Sequence, residues 1–425
     1  MIDLSGAALV LPDRILSPGT LVIDGDRIVE IRPDSPSTGA HALFAFHGHY
    51  IVPGFIDVHM HGLEGIDTLD AVPVAGGAAA PDAGPVHAIA ERLPRYGVTA
   101  FCPTTVACEP RALRRVFDQV RRAREAPSRT AARVLPAHLE SNFINPEYNG
   151  AQPADCLRSP RAAFGSGEAG RAGGAGRAGE DRFTAADILA ELERAAPDVG
   201  IVTIAPELEG GIDLVRLLAG RGHIVSLGHS GATYDEALAA IVAGARHATH
   251  LFNRMPPLHH RSPGLAGAVL QADEIAAEVI CDGCHVHPAL VRTAVAAKGP
   301  SRILAITDAT AVSGLPTGSR AALGGRPIVA GPSTALLEDG TTAGSIVTMD
   351  RAFHMLVGRV GLSLVDAVTA CATTPARELG LVGHGVLAED AIADLVVLDP
   401  NFTVVQTYIA GNLAYARNTA APGSV

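Results

Sequence analysis

Lysine is almost missing from this chain. Among 425 residues it occurs once, at Lys298, so nearly all of the positive charge is arginine. Chemistry that needs a lysine elsewhere is thereby excluded, whether a phosphate loop ending in Gly-Lys-Ser/Thr or a lysine bridging two metals early in the chain. Arginine cannot act as a neutral base, but its fork holds phosphate or carboxylate well. No uncharged apolar run reaches about 18 residues, so no membrane span is expected, and Met1–Val10 lacks a cationic signal-peptide start. Six irregularly spaced cysteines make no disulfide framework. Basic excess is lacking too: 44 acidic residues against 33 Lys and Arg leave a net charge of −11, which argues against a general nucleic-acid or acidic-membrane binder. What remains is a soluble, cytoplasmic globular protein, with 48% hydrophobic residues to fill one large domain and a smaller one.

From Ile51 onward, short apolar runs alternate with amphipathic stretches. Strands are expected near Ile51–Val58, Val98–Pro103, Arg133–Leu139, Gly200–Ala205, His223–Leu227, Arg246–Leu251, Ala277–Cys281 and Arg302–Thr307. They are fully apolar and rich in Val and Ile, as parallel strands buried on both faces should be. Helical patterns fall at Val86–Tyr96, Pro110–Glu125, Ala185–Ala196, Tyr234–Ala243 and Pro288–Ala297. Eight strands separated largely by helices predict an α/β fold, a (β/α)8 TIM-type barrel over 51–385. The ends read as β structure: Ala8–Leu11 and Leu21–Ile31 around the turn Asp24-Gly25-Asp26, then Leu395–Leu398 and Val404–Ala410 before Gly411-Asn412. Residues 1–50 and 386–425 are therefore expected to pair into one small β-domain. The Gly-, Ala- and Arg-rich stretch 159–181 has almost no large apolar residues and reads as a mobile surface insert. The basic face of Arg111–Arg124 reads as a solvated helix surface.

In a parallel barrel the pocket forms where the strands end. The expected ends carry Asp57-Val58-His59-Met60-His61, His138-Leu139-Glu140, Gly228-His229-Ser230, His250, Asp282 with His285, and Asp308. Period two points His59 and His61 to one side of an extended chain. A single histidine at a strand end is most often structural, but five ends offering nitrogen or oxygen ligands at one rim point to a divalent metal centre. Neutral imidazole with carboxylate suits Zn²⁺, and equally Fe²⁺, Mn²⁺ or Co²⁺. Cys281 and Cys284 look like half a zinc knuckle, yet no second pair exists and Cys281 follows a buried strand. A bound metal of this kind supports hydrolysis, and Asp308, inside Ile306-Thr307-Asp308-Ala309-Thr310, is placed to carry the proton.

Pro53-Gly54-Phe55-Ile56-Asp57-Val58-His59-Met60-His61-Gly62 resembles the first-strand signature of the amidohydrolase superfamily. Gly385-Val386-Leu387 with Ala393-Asp394-Leu395-Val396-Val397-Leu398-Asp399 resembles its return into the β-domain. Four further segments resemble the N-acetylglucosamine-6-phosphate deacetylase family. They are His138-Leu139-Glu140 with Asn145-Pro146-Glu147 and Gly150-Ala151; Leu227-Gly228-His229-Ser230 with Ala232-Thr233; Thr249-His250-Leu251-Phe252-Asn253 with Met255 and Arg261 to Gly264; and Asp282-Gly283 with His285-Val286, then Thr307-Asp308-Ala309.

The resemblance implies hydrolysis of an amino-sugar phosphate acetamide by an enzyme with one or two divalent metals, zinc foremost. Glu140, His229 and His250 would be the principal ligands, and His59, His61 and Asp308 would complete a second position. Asp308 would take a proton from the attacking water and give it to the departing amine, with His285 or another donor on the oxyanion. Asn253, Arg261 and His285 match positions that hold the sugar phosphate; Ala151 and Thr342, Ala343 and Gly344 match positions lining the sugar. In relatives that arginine can come from the partner subunit, so a homodimer is implied.

The chain departs from the family pattern at three places, all expected around the substrate. Ser141-Asn142 stands for Gly-Pro, Gln152 for a histidine, and Arg254 for a small residue. Alternative substrates are N-acetylgalactosamine 6-phosphate, an unphosphorylated N-acetyl sugar or an N-acyl amino acid. A non-catalytic sugar-phosphate-binding scaffold would require broken metal ligands, and none is visible.

Overall fold

A computed structural model describes residues 1–34, 42–70, 84–164 and 183–417. Eight parallel strands form the predicted barrel: Phe55–Met60, Val98–Thr105, Ala137–Leu139, Val199–Ile204, Ile224–Leu227, His247–Ala248, Ala276–Ile280 and Ile303–Ile306. Each pairs with the next in parallel register, as Ile201 with Ile224 and Val279 with Ala305. The ring closes beyond the last strand, where the Asp308 amide donates to the His59 carbonyl at 2.9 Å. Ile56, Val58, Ala100, Cys102, Ile201, Ile280, Leu304 and Ile306 pack inside the ring, so it is a filled core rather than a pore.

Helices cover the outside where the 3.6-residue periodicity places them. Pro110–Glu125 and Tyr234–Ala243 coincide with expectation. The second begins at a capping box in which the Thr233 hydroxyl accepts from the Glu236 amide while the Glu236 carboxylate accepts from Thr233. No helix among the described residues is long and apolar enough to cross a membrane.

The termini share one sheet. Its strands run in the order Asn412–Ala416, Val404–Ile409, Leu395–Leu398, Tyr50–Pro53, Ile2–Val10, Ile15–Asp24 and Arg27–Pro33, with Ala42–Ala45 also alongside Ile2–Val10. The seam between the two chain ends is the antiparallel pairing of Val396 with Val52.

Two expectations need correction, and one sheet was not foreseen. Ile51–Val58 is not one strand: Tyr50–Pro53 belongs to the terminal sheet and Phe55–Met60 to the barrel. They part at Gly54, where a Cβ would meet Thr99 Oγ1 at 2.1 Å, so only glycine passes. Arg133–Leu139 divides at Leu135-Pro136 into Arg133–Val134 and Ala137–Leu139. An unforeseen antiparallel sheet, Arg320–Leu323, Arg326–Ala330, Thr334–Leu337 and Thr342–Ser345, follows the eighth barrel strand. Its last strand reaches the barrel end, where the Ser345 amide donates to the Asp308 carbonyl at 2.8 Å. Of the 159–181 stretch, 165–181 lies outside the described residues; Pro160–Ala163 forms a short 3-10 turn, and the Arg161 amide bonds the Glu209 carbonyl.

Candidate metal centre

The strand ends bring the expected ligands into one buried cluster. His229 and His250 follow the fifth and sixth strands, and each Nε2 lies 2.9 Å from Glu140 Oε1. The two Nε2 atoms are themselves 3.0 Å apart. Beside them, His59 Nε2 and His61 Nε2 are separated by 3.3 Å. His61 Nε2 is 3.3 Å from both Glu140 Oε2 and Asp308 Oδ1, and His59 Nε2 is 3.6 Å from Asp308 Oδ1. Glu140 thus turns Oε1 toward His229 and His250, with His59 Nε2 at 3.6 Å, and Oε2 toward His61. Two sets of three ligand atoms result, Glu140 with His229 and His250, and His59 and His61 with Asp308.

The backbone is bent to achieve this. His229, His250 and Asp308 have φ of 48°, 30° and 49°, in the left-handed region that non-glycine residues rarely enter. His229 is oriented by its Nδ1 against the Tyr148 carbonyl at 2.8 Å, which leaves Nε2 for the centre.

Because His229 Nδ1 must donate to the Tyr148 carbonyl, a neutral His229 turns a bare lone pair at Nε2 toward Glu140 Oε1, two acceptors face to face. The donor set fits a divalent cation: imidazole nitrogens and carboxylate oxygens converging in a buried site, with no arginine or lysine paired to Glu140 or Asp308 among the described residues. Burial pushes His59 down, but Glu140, Glu278 and Asp308 outweigh it and raise its pKa to about 9. Burial likewise opposes the Asp308 and Glu140 carboxylates that carry His61 up to about 10. Burial would raise Glu140 and Asp308, yet the surrounding imidazoles hold both below the usual carboxylate range. In a cation's absence protons hold this cluster together, and a cation competes with them.

Two residues of the cluster differ from expectation. His138 ends the third strand as foreseen but is structural: its Nδ1 faces the Val58 carbonyl at 3.2 Å and its Nε2 the Thr203 hydroxyl at 2.8 Å. Burial depresses its pKa to about 3, so it stays neutral. Glu278 was not foreseen. It lies in the middle of the seventh strand, fully buried, with Oε2 2.9 Å from His59 Nδ1. The available signal was a lone carboxylate within the otherwise apolar Ala276-Ala277-Glu278-Val279-Ile280, since an uncompensated buried charge is too costly to be idle.

The expected substrate residues are less tightly gathered. Asn253 and Arg254 continue directly from His250, and the Asn253 amide group donates back to the His250 carbonyl at 3.2 Å. Arg254 is exposed, has a φ of 52°, and lies so close to Gly150 that a Cβ there would come 2.5 Å from its Nε. Gly344 packs on Asp308, a Cβ at Gly344 falling 3.4 Å from Oδ1; Thr342 is half-buried and Ala343 fully buried beside it. Ala151 gives its carbonyl to Arg326 at 2.7 Å. His285 is held by Asp282, its Nδ1 2.6 Å from Oδ2. Arg261 is exposed, and its guanidinium has no ion pair among the described residues. Cys281 is buried and Cys284 exposed, so they make no shared ligand pair.

Three of the four residues that depart from the family pattern, Ser141, Asn142 and Gln152, are held by internal hydrogen bonds. Ser141 donates to the Thr203 carbonyl, and Asn142 to the carbonyls of Cys108 and Cys156 at 2.9 and 2.8 Å, both residues being fully buried. Gln152 bonds through Nε2 to Glu140 Oε2 and through Oε1 to the Ala107 amide. It therefore steadies the carboxylate of the centre.

Residues 50–414 match the amidohydrolase family. The N-acetylglucosamine-6-phosphate deacetylase of Bacillus subtilis is 31% identical over 97% of this chain and 97% of its own length. That of Homo sapiens is 35% identical over 96% of this chain and 91% of its own. A solved structure of N-acetyl-D-glucosamine-6-phosphate deacetylase from Mycobacterium smegmatis, in complex with N-acetyl-D-glucosamine-6-phosphate, superposes with a TM-score of 0.82 at 30% identity, covering 98% of this chain and 99% of that one. The chain belongs to the amidohydrolase family and, within it, to the N-acetylglucosamine-6-phosphate deacetylases.

Proposed function

We propose that this protein hydrolyses the acetamide of N-acetylglucosamine 6-phosphate to glucosamine 6-phosphate and acetate. The observation that carries the reading is Asp308 Oδ1 within 3.3 Å of a metal-type histidine, in a chain that follows its deacetylase relatives over nearly its whole length. Glu140, His229 and His250 would hold one divalent cation, and His59 and His61 with Asp308 a second. Zinc is the metal we favour. A divalent cation there supplies Lewis acidity toward the acetyl carbonyl and makes water nucleophilic near neutral pH.

The protein's own residues supply the proton path. Asp308, kept ionised by its imidazole neighbours, accepts a proton from the attacking water. It returns that proton to the amine nitrogen as the C–N bond breaks, leaving acetate with the new C–O bond. Asn253, Arg254, Arg261 and His285 would hold the sugar phosphate, and Ala151 with Thr342, Ala343 and Gly344 would line the sugar. Arginine suits the phosphate because two parallel N–H donors match two oxygens. An exposed Arg261 without an ion pair suits service across a subunit boundary, so the working unit we propose is a cytoplasmic homodimer.

The test is amine release by the zinc-reconstituted protein from N-acetylglucosamine 6-phosphate, run beside the unphosphorylated sugar and the galacto 6-phosphate epimer. Turnover preferring the first substrate supports the reading. Turnover of either comparison alone moves the substrate, and no turnover of any overturns the reading.

A further inference from the structure

Glu278 is the one carboxylate of the centre that neither histidine pair claims as a ligand, and its contacts are unusual. Its Oε2 accepts from His59 Nδ1 at 2.9 Å and from the His250 backbone amide at 3.3 Å. Its own carbonyl accepts from the Leu251 amide at 2.8 Å. One buried oxygen thus touches a histidine of each pair, and it does so at the residue whose φ of 30° marks a strained backbone.

An alternative reading makes His59, His138 and Glu278 a third metal position, since their ligand atoms also converge. The hydrogen bonds exclude it. The Val58 carbonyl only accepts, so His138 Nδ1 carries the hydrogen, and His138 Nε2 takes the Thr203 hydroxyl proton. No lone pair is left on His138. His59 Nδ1 likewise must be the donor to Glu278, which fixes the tautomer with Nε2 turned to His61 and Asp308.

Glu140, Glu278 and Asp308 are all buried, and among the described residues only imidazoles pair with them.

We propose that Glu278 is the positioning residue that makes the His59 and His61 pair competent for a second divalent cation, and that couples this position to the first through His250. The inference rests on the metal-centre reading above, but not on the identity of the substrate.

The experiment uses the full chain, stripped with chelator and titrated with Zn²⁺ alone, with metal per chain measured after desalting and affinities by competition with a chromogenic chelator. The wild type should retain two zinc ions, and Glu278→Gln one, with the weaker affinity reduced about 10- to 100-fold and the tighter one kept. A wild type retaining only one, or a variant binding two with unchanged affinities, overturns the proposal. A merely structural role would lower the unfolding temperature without changing the stoichiometry. Should Glu278→Gln not fold, histidine ¹⁵N NMR of the zinc-loaded wild type decides. His59 protonated at Nδ1 and bound through Nε2 supports the proposal, and binding through Nδ1 overturns it. Two retained zinc ions without turnover would sink the substrate reading alone.

Discussion

His229 and His250 present their Nε2 atoms to each other at 3.0 Å, with one oxygen of Glu140 at 2.9 Å from both. A divalent cation held by these three atoms would replace the protons that otherwise hold them together, and the protein should be measurably less stable without it. Exhaustive chelation is expected to abolish turnover and to lower the unfolding temperature. Adding back a divalent metal at 1,000 times its dissociation constant should restore about 4 kcal/mol. Calorimetry of stripped and reloaded protein checks this, and identical transitions would remove the metal centre from the account.

In the proposed reaction Asp308 moves the proton. Replacing it by Asn keeps size and shape but removes the basic oxygen. Asp308→Asn should lower kcat by about 10²- to 10⁴-fold, the usual worth of a positioned acid/base. Metal analysis should show the ion at Glu140, His229 and His250 still bound. A variant with near-normal kcat would assign proton transfer elsewhere.

Arg254 stands exposed at the end of the His250 loop, and its guanidinium has no ion pair among the described residues. It is thus available for an anionic group on the substrate. Arg254→Ala should raise KM for the phosphorylated sugar by about tenfold, consistent with one charge-assisted hydrogen bond of 1.5–3 kcal/mol partly screened by water. The unphosphorylated sugar should be affected little. Equal effects on both, or none on either, would take the phosphate away from Arg254.

Lys298 is half-buried and donates to the carbonyls of Val269 and Ala272 at 2.7 and 2.6 Å, at the end of the helix Gly264–Gln271. Burial lowers its pKa from 10.5 to about 8. Below pH 8 it is charged folded and unfolded, and the folded state bears the whole cost of burying that charge. Between 8 and 10.5 the unfolded chain binds more protons, so stability contributed here rises with pH. Relative to Lys298→Met, the wild type should gain stability over that interval, by no more than about 1 kcal/mol given its partial exposure. Urea unfolding of both proteins across the interval is the measurement; a constant difference refutes the shift.

Much of this architecture was legible before any coordinates. Buried parallel strands advertise themselves as apolar runs, and the ring of polar residues at their ends marked the rim. The runs did not show where one sheet hands over to another. Ile51–Val58 reads as continuous because the break at Gly54 depends on how close Thr99 stands, and Thr99 lies on another strand. The sheet from Arg320 to Ser345 consists of four- and five-residue strands with mixed burial, too short to establish a period. Gln152 follows Gly150-Ala151 in a loop, and nothing in that stretch shows that its amide turns onto Glu140. Side-chain direction at a loop is set by packing that the local pattern does not contain.

The bond that seals the barrel joins the amide of Asp308 to the carbonyl of His59, and Thr307 reinforces it with a hydroxyl 2.5 Å from Asp57 Oδ2. The seam and the reactive centre are therefore the same place. A chain that stops at the seventh strand holds Glu140, His229, His250 and Glu278, yet it has neither the closing strand nor Asp308. Any motion that parts the first and eighth strands therefore also draws Asp308 away from His59 and His61.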